Sequence, residues 1–527
     1  MSSNAQTLPA VQQYPTGSAK WILVITAISC AILELLDTTI VNVSLREISG
    51  NIGATTTEIA WVVTAYGISN VIIIPLTSML SDLFGRKNYF TGSVIIFTFA
   101  SLMCGLSDDL WTLVFWRFVQ GLGGGGLLST AQTIIFGAFP PEKVGVAGAI
   151  FGMGLILGPT FGPTLGGYIT DHFSWHWVFF VNIPIGIAAA ILSYRYVTDR
   201  PGAVKPARID WWGILFLVVS IGSIQYVLEE GTANDWFESH EITAVSIIAV
   251  VGLIAFIYRE LSIDYPAVNI RLYSNYNLVM GAIMNFILGL VLFGTVFIFP
   301  LFVQISLGWT ATQTGVFMIP GALCTAFAMP LVARILGTGI NPKVVILTGV
   351  MITFLFVFML SFSSPDSSER NFYLPFVLRG FGMAFMMSPI LSLSVAGLRG
   401  KDMAQAIGLS NMVRQLGGSV GIALINVYLS FRNANVRGSM LGYIDSGDSK
   451  VAERLQMLTQ NYVSKGFSPE AAEAAANKMM DGILTKQQMI VSYDQGFFMV
   501  SMLVLVFVPV VLLIRTKKGA AVVAADH

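Results

Sequence analysis

Two carboxylates and, first of three arginines, one guanidinium stand inside apolar runs of the first half of the chain, where such groups are costly and are kept for a reason. Glu34 and Asp37 interrupt the run that begins at Trp21, and Arg117 interrupts the one that begins at Trp111. An i, i+3 spacing puts both acids on one face of a helix. At ~1.5 Å per residue Glu34 lies about 20 Å and Asp37 about 24 Å along the first run. Arg117 enters from the other side and lies roughly 9 Å into a ~30 Å core, so Asp37 and Arg117 share a depth. The chemistry this offers is proton exchange. Apolar surroundings favour the neutral acid and a nearby guanidinium the carboxylate, so approach or departure of Arg117 toggles proton affinity at Glu34 or Asp37. A lipophilic cation competing for the same carboxylate would expel the proton. A static buried ion pair holding two helices is the competing reading.

The wall around these groups is sought among polar residues on other apolar segments. Gln120 lies one turn beyond Arg117 on the same face, and Asn42, Tyr66 and Asn70 are similar candidates for substrate contact. Later in the chain Arg379 enters at much the same depth as Arg117, while Asn411, Arg414 and Gln415 cluster near mid-membrane. Each serves equally as an interhelical hydrogen bond. Three arginines against two acids leave the lining slightly positive, which admits amphiphilic anions such as fatty acids beside lipophilic cations. The 36 Phe, 10 Trp and 22 Met supply adaptable apolar surface.

The elements that carry these residues are membrane helices. Of 527 residues 55% are hydrophobic and only 11% charged, too little polar surface for a soluble chain of this length. Apolar stretches of spanning length fall at 21–45, 57–79, 89–107, 111–139, 144–170, 177–197, 209–229, 241–259, 277–304, 312–334, 342–362, 371–397, 403–431 and 494–515. With both termini cytoplasmic, Lys20, Arg86, Lys87, Lys143, Arg259, Arg334, Lys343 and Lys401 all face the cytoplasm, whereas short outer loops hold only Arg46 and Arg370. That asymmetry supports an all-α polytopic membrane protein of fourteen spans. Residues 1–20 lack a basic n-region and form a disordered cytoplasmic tail, 517–527 form a cytoplasmic tail at the other end, and the first apolar run stays as a span. Zero formal net charge gives no basis for nucleic-acid binding, and Cys30, Cys104 and Cys324, all in apolar runs, form no disulfide framework.

Two further stretches stand out. In GLILGPTFGPTLGG, Gly154, Gly158, Gly162 and Gly166 recur every fourth residue and form a ridge nearly free of side chains, on which another helix can close to backbone contact. Pro159 and Pro163 bend the same segment. The tenth span, with Gly315, Gly321, Ala322, Thr325 and Ala326, is the expected partner, and the interface between them a conformational gate. The second stretch is the insert 432–490 on the outer face. Ser468, Pro469 and Glu470 read as the cap and first turn of a helix reaching about Gln487 in a small hairpin. It serves as a solvated spacer or as a docking surface for another protein.

Several motifs converge on one family. SMLSDLFGRK from Ser78 resembles the major facilitator signature GxLxDRxGRK, departing at Ser78 and Leu83. LVFWRFVQGLGGGG matches LxxxRxxQGxG through Leu113, Arg117, Gln120 and Gly121, and the glycine–proline ridge resembles the antiporter motif of exporters. LLDTTIVNVSL and WHWVFFVNIPIG, with His176 replacing an Arg, are similar to signatures of the fourteen-helix drug:proton antiporters of the EmrB/QacA type. The resemblance implies two six-helix bundles, 21–197 and 277–516, joined by a linker 198–276 that carries two extra transmembrane helices. AGAI at 147–150 and AQAI at 404–407, with PLVARILG as a degenerate loop signature whose Arg334 replaces Asp82, echo such a repeat. It also implies proton-coupled efflux of lipophilic compounds across a bacterial inner membrane, with the proton as coupling ion and no cofactor. Asp82, Gly85 and Arg86 would then latch the two bundles, and the insert would meet a periplasmic adaptor protein reaching an outer-membrane channel.

Other signals are set aside. Gly121, Gly123 and Gly126 satisfy G-x-G-x-x-G but continue a membrane helix, and no GK[ST] phosphate loop occurs. His172 and His176, spaced i, i+4, have Asp171 as their only adjacent acid and fall at a helix end, and no nucleophile–base pattern points to an enzyme. A proton-coupled importer and a non-transporting sensor or scaffold remain as alternatives.

Overall fold

A computed structural model describes residues 15–140, 143–199, 208–365, 367–443 and 449–514; the tail expectations for 1–14 and 517–527 lie outside the described residues. Among these residues there is no strand. In chain order come α1 (Gly17–Ile52), α2 (Thr56–Phe84), α3 (Arg86–Gly105), α4 (Leu110–Gly137), α5 (Val144–His172), α6 (Trp177–Phe180), α7 (Asn182–Tyr196), α8 (Trp211–Glu230) and α9 (His240–Ser262). There follow α10 (Tyr276–Ser306), α11 (Ala311–Gly337), α12 (Pro342–Leu360), α13 (Glu369–Ser394), α14 (Gly400–Tyr443), α15 (Ser449–Ser464), α16 (Pro469–Leu505) and α17 (Phe507–Leu513).

Several ends are set by local chemistry. Thr55 and Glu58 form a capping box at the start of α2, Thr310 and Gln313 another at α11, and Asp109 accepts from Thr112 N at 3.0 Å to open α4. Gly53 closes α1 in the left-handed region, φ 74°, its N–H returning to Ser49 O.

Among the described residues thirteen helical spans are long and apolar enough to cross a membrane, and α4 is not among them. Its 28 residues would reach across, but it carries Arg117, Gln120, Gln132 and the run Gly123 to Gly126, and from Gln120 onward it is largely buried against α1, α2 and α3, while Trp111, Phe115 and Phe118 before it stay exposed. A span wrapped in protein does not need lipid-facing residues. The sixth span is broken at Val181 into α6 and α7, with Pro184 just beyond the break withholding a backbone donor.

Helices α1 to α7 pack on one another, as do α10 to α14 with α16, and the two groups meet where α5 lies on α11 and α13 and where α14 lies on α2 and α4. The hairpin α8–α9 leans on α2 and also touches α14.

The glycine ridge has a different partner from the expected one. A Cβ on Gly154 would lie 2.9 Å from Ile28 Cγ1, on Gly158 2.6 Å from Leu35 Cβ, on Gly166 2.9 Å from Ile40 O, and on Gly162 against Thr39. All four contacts are with α1, so the ridge builds the first half from within. The face of α5 that meets α11 is another, with Gly152 beside Met329 and Thr164 against Gly315. Gly321 instead approaches Phe376 O on α13. A four-residue repeat defines a bare face, and nothing in it names the helix that fills the face.

The insert also differs from a separate hairpin. Ser468 does cap its helix, accepting from Ala471 N, but α16 runs past Gln487 to Leu505 without a break. At 44 residues α14 is about 66 Å long, twice a ~30 Å core. Both final long spans therefore project beyond the membrane, joined by the Arg437–Asp481 ion pair at 2.5 Å, with α15 packed on α16.

Candidate functional site

The site is built on α1 and α4 and completed by α2 and the break between α6 and α7. Asp37, 0% exposed, accepts three hydrogen bonds: from Arg117 Nη1 at 2.6 Å, Gln120 Nε2 at 2.9 Å and Asn182 Nδ2 at 2.8 Å. Arg117, also 0% exposed, donates through Nε to Val62 O at 3.1 Å and through Nη1 to Gln120 Oε1 at 2.8 Å. Its guanidinium lies 4.1 Å over the Tyr66 ring. Fork geometry and a stacked face suit an arginine and would not suit a lysine. Asp37 and Arg117 thus meet at one depth, as their spacing suggests.

Glu34, one turn away on α1 and 4% exposed, is held differently. Oε1 accepts from Asn70 Nδ2 at 2.9 Å, while Oε2 is buried with no hydrogen-bond partner. The charged groups around it are Asp37 and, from the other group of helices, Arg414, whose Nη1 is itself unpartnered. Two acids on one helix face therefore have opposite situations. Asp37 accepts from three donors, and Glu34 keeps one buried oxygen without a partner.

The glycine run of α4 makes this arrangement possible. A Cβ on Gly124 would lie 2.7 Å from Tyr66 Oη, 3.1 Å from Asn70 Nδ2 and 3.4 Å from Glu34 Cγ. On Gly123 it would meet Phe97 N at 2.7 Å. The run that mimics a dinucleotide loop is the notch that lets α2 and α3 close on α4.

The other sequence candidates divide. Tyr66, Asn70 and Gln120 belong to the cluster. Asn42 is exposed and takes no part in its hydrogen bonds. Asn411 is buried and donates to Ser129 Oγ at 3.0 Å and Gln132 Oε1 at 2.9 Å, tying α14 to α4. Gln415 is partly buried beside it. Arg379 is buried on α13 with the Phe376 ring 5.5 Å away and forms no ion pair with the acids of α1.

At the end of α2 Asp82 pairs with Lys401 Nζ of α14 at 3.3 Å, across the two groups of helices. Arg86 donates to Thr198 O at 2.6 and 3.0 Å, and Gly85, φ 84°, lies against Asp199, so this part of the signature fastens α3 to the end of α7. His172 Nδ1 donates to Tyr168 O at 3.0 Å and His176 bonds Ser174 at 2.6 Å.

Sequence reasoning missed Asn182 and Gly124. The signal for Asn182 was available, since an Asn two residues before a proline inside an apolar span marks an end that must aim a polar group inward. It also missed Gln225, Glu229 and Glu230 on α8, because acids in the last turn of a span read as its aqueous boundary.

Residues 27–422 match the family model described as Major Facilitator Superfamily. The chain is similar to the fatty acid resistance protein FarB of Neisseria gonorrhoeae, 32% identical over 92% of this chain and 94% of that one. It is likewise similar to the multidrug export protein EmrB of Escherichia coli K12, 30% identical over 97% and 98%. Among solved structures it resembles the human organic anion transporter MFSD10 with a TM-score of 0.56 at 12% identity, covering 92% of this chain and 99% of that one, a likeness of fold.

Proposed function

The chain belongs to the Major Facilitator Superfamily, and on that premise we propose that it exports lipophilic and amphiphilic compounds in exchange for protons by alternating access. It is a multi-pass membrane protein. Its relatives' bacterial sources and names support placement in a bacterial inner membrane and a role in drug and fatty acid resistance. The bias of basic loops supports cytoplasmic termini, with the insert in the periplasm. The long projections of α14 and α16 offer a surface suited to an adaptor protein leading to an outer-membrane channel.

The observation that carries the coupling reading is the contrast between the two acids. Asp37 is fixed by three donors and serves as the anchor that holds Arg117 in place. Glu34, with its unpartnered oxygen and the charge of Arg414 within electrostatic reach, is the carboxylate that exchanges a proton for a cationic substrate. In the reverse sense, an anionic amphiphile pairs with Arg414 when Glu34 is neutral, which accommodates fatty acids at the same place.

Substrate-driven proton release from detergent-solubilised protein tests this. With ethidium as substrate, Glu34→Gln should abolish release while Asp37→Asn diminishes it through misplacement of Arg117. Normal release in Glu34→Gln would overturn the reading.

A further inference from the structure

Helix α8 takes no part in the site above, yet it ends in a carboxylate turned into the protein. Glu229 is partly buried where α8 lies against α2 and touches α14. Its Oε1 accepts from Gln225 Nε2 at 2.5 Å. Gln225, 1% exposed, also donates from Nε2 to Ser419 Oγ of α14 at 2.8 Å, and its Oε1 accepts from the Ser419 hydroxyl at 3.1 Å. The carboxylate fits because α2 has a glycine opposite it: a Cβ on Gly67 would lie 2.6 Å from Glu229 Oε1.

The groups that face Glu229 can be named on each packed element. On α2 they are Gly67 and Thr64, which lies beside it and donates to Glu230 Oε1 at 3.0 Å. On α14 it is Ser419, reached through Gln225. On α8 the neighbouring charge is Glu230, and beyond it Glu241 of α9 accepts from Tyr226 at 2.6 Å. Among the described residues no Lys or Arg pairs with Glu229, and its Oε2 is buried without a hydrogen-bond partner.

A carboxylate so placed has two hydrogen-bonding states with different consequences for α14. Ionised, it only accepts; it holds Gln225 Nε2 and leaves Gln225 Oε1 to Ser419. Protonated, it also donates, and turning the Gln225 amide so that Oε1 accepts that proton takes from the Ser419 hydroxyl the acceptor it uses, leaving Ser419 a single bond with Gln225, from Nε2. We propose that Glu229 is a positioning residue through which protons from the insert side loosen the linker hairpin from α14, so that the rate of alternation answers to pH on that side separately from the proton exchanged at Glu34. This rests on the proton-coupled efflux reading.

The test is ethidium extrusion in everted vesicles, with lumenal pH stepped at a constant pH difference, alongside the number of protons moved per ethidium. Glutamine supplies the donor of the neutral acid, so Glu229→Gln should run at the acid-limit rate at every pH, with the wild-type proton count and wild-type ethidium binding. Ser419→Ala, which removes the tie, should flatten the profile in the same way. A profile of wild-type shape in Glu229→Gln, a loss of rate equal at all pH, or a proton count reduced in that variant would each overturn the proposal. Absence of substrate-driven proton movement in the wild type would instead defeat the efflux reading beneath it.

Discussion

Asp37 and Glu34 show how one helix face can hold two acids in different surroundings. What separates them is the supply of donors: Arg117, Gln120 and Asn182 converge on Asp37, and Asn70 alone serves Glu34. Asn182 is the member whose removal tests the arrangement most cleanly, since it comes from outside α1 and α4 and also donates to Ser101 Oγ at 3.1 Å. A buried hydrogen bond to a charged acceptor is worth about 1.5–3 kcal/mol. Asn182→Leu should destabilise the protein by about that amount, and unfolding in mixed detergent micelles measures it. A variant as stable as the wild type would mean that Arg117 and Gln120 hold Asp37 unaided.

At the scale of elements, α5 packs in two directions through two glycine faces, and the two should respond differently to added bulk. Gly158 meets Leu35 Cβ at 2.6 Å and Ile32 O at 3.1 Å on α1, which cannot move aside. Gly152 meets Met329 Cε at 2.6 Å, the far end of a flexible side chain on α11. Overpacking a tight core costs about 1–3 kcal/mol and more where backbone is the obstacle. Gly158→Leu should therefore lose folded protein, whereas Gly152→Leu should stay monodisperse in size-exclusion chromatography yet transport slowly. A folded, proton-leaky Gly158→Leu would return the ridge to the role of a gate. The bare face of α5 was legible in the sequence because four-residue spacing is local; its partner was not, because that depends on how the helices assemble. Likewise the cap at Ser468 was legible, but the continuation of α16 was hidden by the polar residues of a helix that passes from water into the membrane. Asp37 and Arg117 were found because depth can be counted along a span. Glu229 was not, because counting places it at a boundary that α2 and α14 in fact cover.

For the whole molecule, the two halves touch on both sides of the membrane. At the end that carries the turn between α2 and α3, Asp82 pairs with Lys401 and a Cβ on Gly148 would lie 3.3 Å from Ser388 O, and deeper in the seam Asn411 bonds Ser129 and Gln132. At the opposite end Thr312 donates to Asp171 Oδ2 at 2.9 Å and Gly315 lies against Thr164. Alternation requires one set to part while the other holds, so the strength of each set biases the cycle. Lys401 is 58% exposed, and an ion pair with so wet a partner contributes only about 0–1 kcal/mol. A change of about 1 kcal/mol alters a two-state ratio about fivefold. Asp82→Asn should accordingly slow ethidium export a few-fold while leaving ethidium binding intact, and Lys401→Met should do the same. Because one contact is being removed from both ends, the double variant should be no slower than either single one. Transport rates in vesicles for the three variants decide this, and additive losses would mean that Asp82 and Lys401 act through separate partners.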